Sequence, residues 1–220
     1  MFTRKHPRKE NIRGNCALIT GKNSAVGLYL HWNGGKDSVK PFLTYASFHT
    51  SAGLGQGTYD AGLSTLVTIV NNFFGLGSTA SIDTVDPEAL EECSPGDNGV
   101  YVVDENWDIS QRVDAPSMEQ DSYDFAEMLE AVDGTQPKNI QLGKKFLESK
   151  VIPVEDVEVG MTVFKKGVRG WEEHTVECLG NPEKGEKVPG CYPDNTPYTG
   201  DYPGWNPNGY ILSKMVRAVV

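Results

Sequence analysis

Residues 61–74 contain no charged side chain, and this stretch constrains the fold more than any other part of the chain. Its apolar side chains recur at the three- and four-residue spacing of a helix: Leu63, Leu66, Val67, Val70 and Phe74. A helix without charges is not stable at a surface that faces water. The pattern therefore predicts a helix from about residue 59 that is central and buried, with other elements around it.

Two hairpins are predicted to form a sheet. Residues 15–20 and 25–32 are rich in apolar and β-branched side chains, and turn-forming residues separate them. Residues 100–104 and 107–113 repeat this pattern around a short Glu-Asn turn. Both pairs predict antiparallel strands.

Further helices are predicted at residues 38–49 and 117–132, with a short helical turn that starts at Asp86-Pro87 and runs through Glu92. Asp37 is expected to be the N-cap of the first of these, because its carboxylate can accept a hydrogen bond from a free backbone N–H. Together with the hairpins, these helices predict an α+β domain over residues 15–133, in which an antiparallel sheet carries helices on one face.

Three other segments complete the predicted organisation. Residues 1–14 form a basic flexible arm, and residues 134–151, which begin with a Gly-Thr-Gln-Pro-Lys-Asn run, form a linker. Residues 152–220 resemble a small SH3-like β-barrel in their strand pattern, with strands predicted at 162–165, 173–178 and 210–220.

Charge is concentrated in one part of the chain. The 220 residues carry a net charge of −10, but residues 83–133, called the acidic segment below, hold sixteen acids and a single base, Arg112. Residues 134–220 have no net charge, since they contain eleven charges of each sign. This distribution argues against direct nucleic-acid binding, which needs clustered cations, and favours a partner with a basic surface.

Cysteine usage and hydropathy indicate a cytoplasmic protein. No two of the four cysteines form a Cys-x-x-Cys pair, so reduced thiols are expected. No apolar run approaches the roughly 20 residues of a membrane span, so no membrane partner is predicted. The oligomeric state stays open.

No cofactor or metal is predicted. His174, Cys178 and Cys191 are too few for structural zinc, which takes four ligands. The acids around the second hairpin lack the Asp-x-Asp-x-Asp-Gly pattern of a calcium loop, so they are interpreted as turn-forming residues.

Three segments carry a family resemblance: YLHWNGGKDSVKPFL at residues 29–43, NNFFG at 71–75 and DNGVYVVDENWDI at 97–109. As a set they resemble a group of uncharacterised proteins encoded by phages, prophages and mobile elements of bacteria, especially Firmicutes. The resemblance covers residues 15 to about 132. It implies a mobile-element context, in which small acidic proteins often block host defence systems such as CRISPR effectors, and it implies no catalytic residue.

Two functions from different classes follow. The first is a non-enzymatic protein-binding factor, an anti-CRISPR-like inhibitor for example, whose acids and aromatic residues contact a basic host surface; its predicted contact residues are Asp97, Asp104, Glu105, Asp108, Asp121, Asp124, Tyr198, Tyr202 and Trp205. The alternative is an enzyme or small-ligand binder with a site at the first hairpin, formed by Cys16, His31 and Asp37. In that alternative Cys16 would meet His31 across neighbouring strands. A strand end and a capped helix would explain the same residues without a site.

Overall fold

The computed structural model describes residues 14–21, 24–30, 32–50, 61–75, 80–86, 88–93, 98–104, 106–113, 122–167, 170–176 and 215–220. The chain divides into two compact units, Met1–Gln141 and Leu142–Val220. The division lies within residues 134–151, the predicted linker, and that stretch also holds the end of one helix, a short helix and the start of a strand.

The N-terminal unit contains a five-stranded sheet. Its strands are β1 (Gly14–Gly21), β2 (Ser24–Leu30), β3 (Ala80–Val85), β4 (Val100–Val103) and β5 (Ile109–Val113), in the order β3-β2-β1-β4-β5. Both predicted hairpins are confirmed, as antiparallel pairs β1–β2 and β4–β5.

The expectation of a wholly antiparallel sheet is corrected in one place, because β1 and β4 pair in parallel. After β3 pairs with β2 at one edge, the chain returns to the other side of β1 and enters β4 in the direction of β1. Parallel neighbours need such a long connection, whereas hairpins do not. The strand β3 was not predicted, although residues 80–85 contain alternating small, polar and β-branched side chains.

Three helices accompany this sheet: α1 (Lys36–His49), α2 (Ala61–Phe74) and α3 (Phe125–Thr135). The predicted burial of the uncharged helix is confirmed for one face, where Leu66, Ile69, Val70 and Phe73 of α2 are each at most 2% exposed. Ser64, Thr68 and Asn71 on its other face are exposed. Phe73 meets Phe42 of α1 edge to face, with ring centroids 5.1 Å apart, a geometry favoured by the aromatic quadrupole.

The strand β4 is buried along its whole length. Val100 and Val102 cluster with Leu90, from the 3-10 turn Leu90–Cys93, and with Val113 of β5. Tyr101 and Val103 alternate with them and are also fully buried, so β4 is covered on both faces. The 3-10 turn overlaps the end of the short helical turn that was predicted from Asp86 through Glu92.

The C-terminal unit has a second sheet. It consists of β6 (Lys150–Pro153), β7 (Thr162–Gly167), β8 (Gly170–Thr175) and β9 (Met215–Ala218), in the antiparallel order β6-β9-β7-β8. A short helix, α4 (Lys144–Glu148), precedes β6, and a 3-10 turn (Val154–Asp156) follows it. Its core cluster consists of Val157, Val163, Val176, Val216 and Ala218.

The fold class is therefore α+β, as predicted. The described strands of the C-terminal unit form an open sheet and no closed barrel, so the SH3-like barrel stays a prediction. Within the described residues, no helix combines the length and the hydropathy needed to cross a bilayer.

Candidate functional site: the acidic segment

The turn between β4 and β5 is organised by Asp104. Its Oδ1 accepts hydrogen bonds from the backbone N–H of Asn106 at 2.8 Å and of Asp108 at 3.1 Å. The backbone N–H of Asp104 donates to the carbonyl of Asp108 at 2.9 Å. An aspartate that binds the backbone two to four residues ahead stabilises a tight turn, so this predicted contact residue also has a local structural role.

The helix α3 begins at a second aspartate of the acidic segment. Asp124 is the N-cap, and its Oδ1 accepts hydrogen bonds from the backbone N–H of Ala126 and of Glu127, at 2.9 and 3.0 Å. The predicted helix at residues 117–132 is thereby corrected to Phe125–Thr135, because the capping residue is Asp124 and not a residue near 117. Asp86 similarly accepts a hydrogen bond from Glu88 N–H at 2.9 Å.

Several exposed carboxylates in the described part of the acidic segment have no cationic partner. Among the described residues, six of them are exposed and form no ion pair: Asp86, Glu88, Glu92, Asp108, Asp124 and Glu127. Arg112, the only base of the segment, donates instead from Nε to the carbonyl of Asn98 at 2.9 Å. Its guanidinium also lies over the Tyr101 ring, 5.9 Å from the centroid.

One acid of the segment does not belong to this surface. Asp133 is only 8% exposed, and its Oδ1 accepts a 2.6 Å hydrogen bond from the hydroxyl of Tyr45 in α1. The same hydroxyl lies 3.2 Å from the carbonyl of Ile140. Counting charges along the sequence missed this role, although Asp133 lies four residues after the buried Leu129, on the inner side of α3.

Asp37, assigned by sequence to an N-cap and to the alternative site, has a different role. The N-cap of α1 is Gly35, and Asp37 lies in the first helical turn with 7% of its surface exposed. Its Oδ2 accepts hydrogen bonds from the backbone N–H of Ser122 at 2.7 Å and of Tyr123 at 3.0 Å. The carboxylate therefore tethers the start of α1 to the chain that enters α3.

The loop before α1 is also buried. Asn33 has φ +54° and is 1% exposed, and its Nδ2 donates to the hydroxyl of Ser38 at 3.3 Å. The Ser38 hydroxyl lies 3.3 Å from Asp37 Oδ1. These contacts connect the loop, the first turn of α1 and Asp37 in one buried polar group.

The proposed pairing of Cys16 with His31 is not a direct cross-strand pair. The β1–β2 register places Cys16 opposite Leu28, three residues before His31. His31 lies outside the described residues, so a cysteine–histidine site stays a prediction. Asp97, Glu105, Asp121, Tyr198, Tyr202 and Trp205 lie outside them as well.

Within the described part of the chain, no group of three or more His, Cys, Asp or Glu residues has the geometry to hold a metal ion. Comparisons of this chain with protein-family models, with curated proteins and with solved structures find no match.

Proposed function

We propose that this protein is a non-enzymatic binding factor of a phage or mobile element, which acts in the bacterial cytoplasm by docking its acidic segment on a basic surface of a host protein. The observation that carries the proposal is the set of exposed carboxylates without ion pairs described above. In the C-terminal unit, Lys144 and Lys145 bind Glu148 and Glu173 of that same unit. A basic partner would gain Coulomb energy and be steered toward this surface.

Preorganisation of the carboxylates supports the same function. Asp86, Asp104 and Asp124 each bind a neighbouring backbone N–H, which fixes the side chain and leaves the negative charge in place. A charged side chain that is already ordered loses less conformational entropy when a partner binds. The hydrogen bonds that shape the turn and cap the helix thus also reduce the entropic cost of recognition.

An apolar anchor lies beside these charges. Phe125 follows the N-cap Asp124 and is 44% exposed, which is unusual for a large aromatic side chain. Interfaces concentrate their binding energy in a few aromatic side chains surrounded by a polar rim. We therefore add Phe125 to the proposed contact residues, beside the aromatic residues proposed from the sequence.

The proposed target is a host defence protein whose basic surface ordinarily takes nucleic acid. The resemblance of residues 15–132 to mobile-element proteins and the charge of the acidic segment support this choice. Because the contact is electrostatic, binding is expected to weaken as salt shields the charges, whose Debye length is about 8 Å at 0.15 M salt.

Affinity capture from bacterial lysate, followed by binding measurements on the purified target, tests the function. Glu88→Lys with Glu127→Lys reverses two exposed charges of the acidic segment. Glu155→Lys with Glu158→Lys makes the same charge change in the C-terminal unit, where both glutamates are also exposed. The variant with Glu88→Lys and Glu127→Lys should no longer capture the target. The variant with Glu155→Lys and Glu158→Lys should capture it as the wild-type protein does. Equal capture by all three proteins, or binding that ignores salt, contradicts the proposal.

For the C-terminal unit we propose the SH3-like barrel as the complete fold. The antiparallel order of four short strands around a valine-rich core supports it. An experimental structure in which further strands join the edges at β6 and β8 would verify the barrel, and one in which both edges stay open would contradict it.

A further inference from the structure

A bend in the chain before α3 closes on one carboxylate oxygen of α1. The backbone N–H groups of Ser122 and Tyr123 both donate to Asp37 Oδ2, at 2.7 and 3.0 Å, and the chain bends at Tyr123. Two successive N–H groups point to the same side where the backbone bends, and the concavity that they form suits an anionic oxygen. The bend is therefore shaped around Asp37.

Asp37 is held more firmly than an acid at the start of a helix needs to be. The helix dipole stabilises an acid in the first turn even when its side chain is exposed. Asp37 is instead only 7% exposed, and its second oxygen, Oδ1, accepts a hydrogen bond from the Ser38 hydroxyl at 3.3 Å. Both oxygens are thus occupied inside the protein, and Oδ2 joins α1 to a segment 85 residues further along the chain.

The two halves of α3 are held in different ways. The second half contributes buried side chains to the core, among them Leu129 and Val132. Residues 124–127 at the start are all exposed, so buried side chains do not fix the direction of the first turn. The hydrogen bonds of Asp37 hold the chain immediately before this turn, and they are therefore well placed to fix its direction.

The first turn of α3 carries an aromatic side chain that follows one carboxylate and precedes another. Phe125 is 44% exposed, and Asp124 and Glu127 are exposed as well. Coulomb energy falls slowly with distance, so the attraction of a basic partner to the two carboxylates tolerates a small displacement. Apolar contact does not, since a gap of about 1 Å removes up to half of the dispersion energy. The contribution of Phe125 to binding thus depends on where the turn lies.

We propose that Asp37 is a positioning residue for the docking surface, and that the partner receives the first turn of α3 in an apolar pocket bordered by cations. Asp37 fixes the bend, and the bend places Phe125 in the pocket, while Asp124 and Glu127 contact the basic border. Because it is buried, Asp37 acts through this turn and not by contact with the partner. This inference rests on the proposed function and names the residue that sets its apolar contact.

Fluorescence anisotropy on the full chain tests the positioning with two labelled 12-residue probes. The first probe contains nine lysines and three evenly spaced leucines, and the second has serine in place of each leucine. The leucine probe should bind the wild-type protein about tenfold more tightly, as expected for burying part of an aromatic side chain. This ratio of the two dissociation constants is called the leucine preference below. A change in the charge of the protein affects both probes alike and cancels in the ratio.

Variants of Asp37 should change the leucine preference. Asp37→Ala should lower it to about threefold or less, and Asp37→Asn, whose carbonyl oxygen can still accept from both N–H groups, should restore most of it. Tyr45→Phe is the matched control, because it also removes a hydrogen bond to a buried aspartate of this unit but leaves the bend intact. It should keep the tenfold preference.

A double variant shows whether Asp37 acts through the aromatic side chain. Phe125→Ser should abolish the leucine preference by itself, and adding Asp37→Ala to it should produce no further change. If circular dichroism shows Asp37→Ala to be unfolded, Asp37→Ser replaces it, since the shorter hydroxyl side chain cannot accept from both N–H groups.

Three results would overturn the positioning role: a wild-type leucine preference in the folded Asp37→Ala or Asp37→Ser variant, a preference lowered equally by Tyr45→Phe, or a preference that survives Phe125→Ser. Equal binding of the two probes by the wild-type protein would overturn the apolar pocket. Binding of neither probe would instead contradict the proposed function, so the two failures are distinguishable.

Discussion

In the N-terminal unit, described aspartates accept hydrogen bonds from backbone N–H groups or from a tyrosine, whereas in the C-terminal unit Glu148 and Glu173 bind lysines. The short aspartate side chain reaches the backbone a few residues ahead, as Asp104 and Asp124 do. The longer glutamate reaches across a helical turn or to another element. The aspartates named for the N-terminal unit therefore stabilise turns, a helix cap and a buried tether, whereas Glu148 and Glu173 of the C-terminal unit are paired with lysines.

The largest effect expected from this comparison is at Asp37. Asp37→Ala removes the acceptor of two backbone N–H groups in a buried position, so we expect a loss of about 3 kcal/mol in the free energy of unfolding. Urea denaturation followed by circular dichroism measures it. Asp108→Ala, at an exposed acid, is the control and should change stability by less than about 0.5 kcal/mol. If the two variants are equally stable, Asp37 does not stabilise the protein by tethering α1 to the chain before α3.

A smaller effect is expected where a side chain, and not the backbone, is the donor. Tyr45→Phe leaves the buried carboxylate of Asp133 without its hydroxyl partner and should destabilise the protein by about 2 kcal/mol. The double variant Tyr45→Phe with Asp133→Leu removes both polar groups and should recover part of that loss. If the single variant unfolds at the wild-type urea concentration, the hydrogen bond contributes nothing to stability.

The next largest loss of stability is expected on removing the N-cap of α3. Asp124→Ala leaves two N–H groups at the start of α3 without an acceptor, and loss of such a cap costs about 1 kcal/mol. Asp124→Ser keeps a capping oxygen without the charge and should restore most of the stability. Thermal denaturation compares the two, and equal melting temperatures for both variants would contradict the capping role.

The smallest effect is expected for the acid that binds a lysine. A double-mutant cycle of Lys145→Met and Glu173→Gln should give a coupling free energy below about 1 kcal/mol, because both side chains are exposed. The coupling should fall further in 1 M salt. A coupling free energy as large as the loss in unfolding free energy expected for Asp37→Ala would show that acids contribute equally to stability in the two units.

Local patterns predicted much of the N-terminal unit. The apolar spacing in residues 61–74 predicted α2 and its burial, and the turn residues around 21–24 predicted the first hairpin. The predicted start of α3 near residue 117 was wrong, because the helix begins at Phe125, after the N-cap Asp124. For the candidate site, the sequence identified the acids but not Phe125, whose exposure depends on how α3 lies in the fold.

The sequence by itself determined which stretches pair locally, which helix must be buried and where negative charge accumulates, because spacing, turn chemistry and charge act over a few residues. Only the tertiary structure decided that β4 joins β1 in parallel and that Asp37 holds the chain at Ser122, 85 residues away. It also decided that Asp133 is a buried acceptor for Tyr45 and not a surface charge. Contacts between such distant residues depend on how whole elements pack, and no local spacing encodes them.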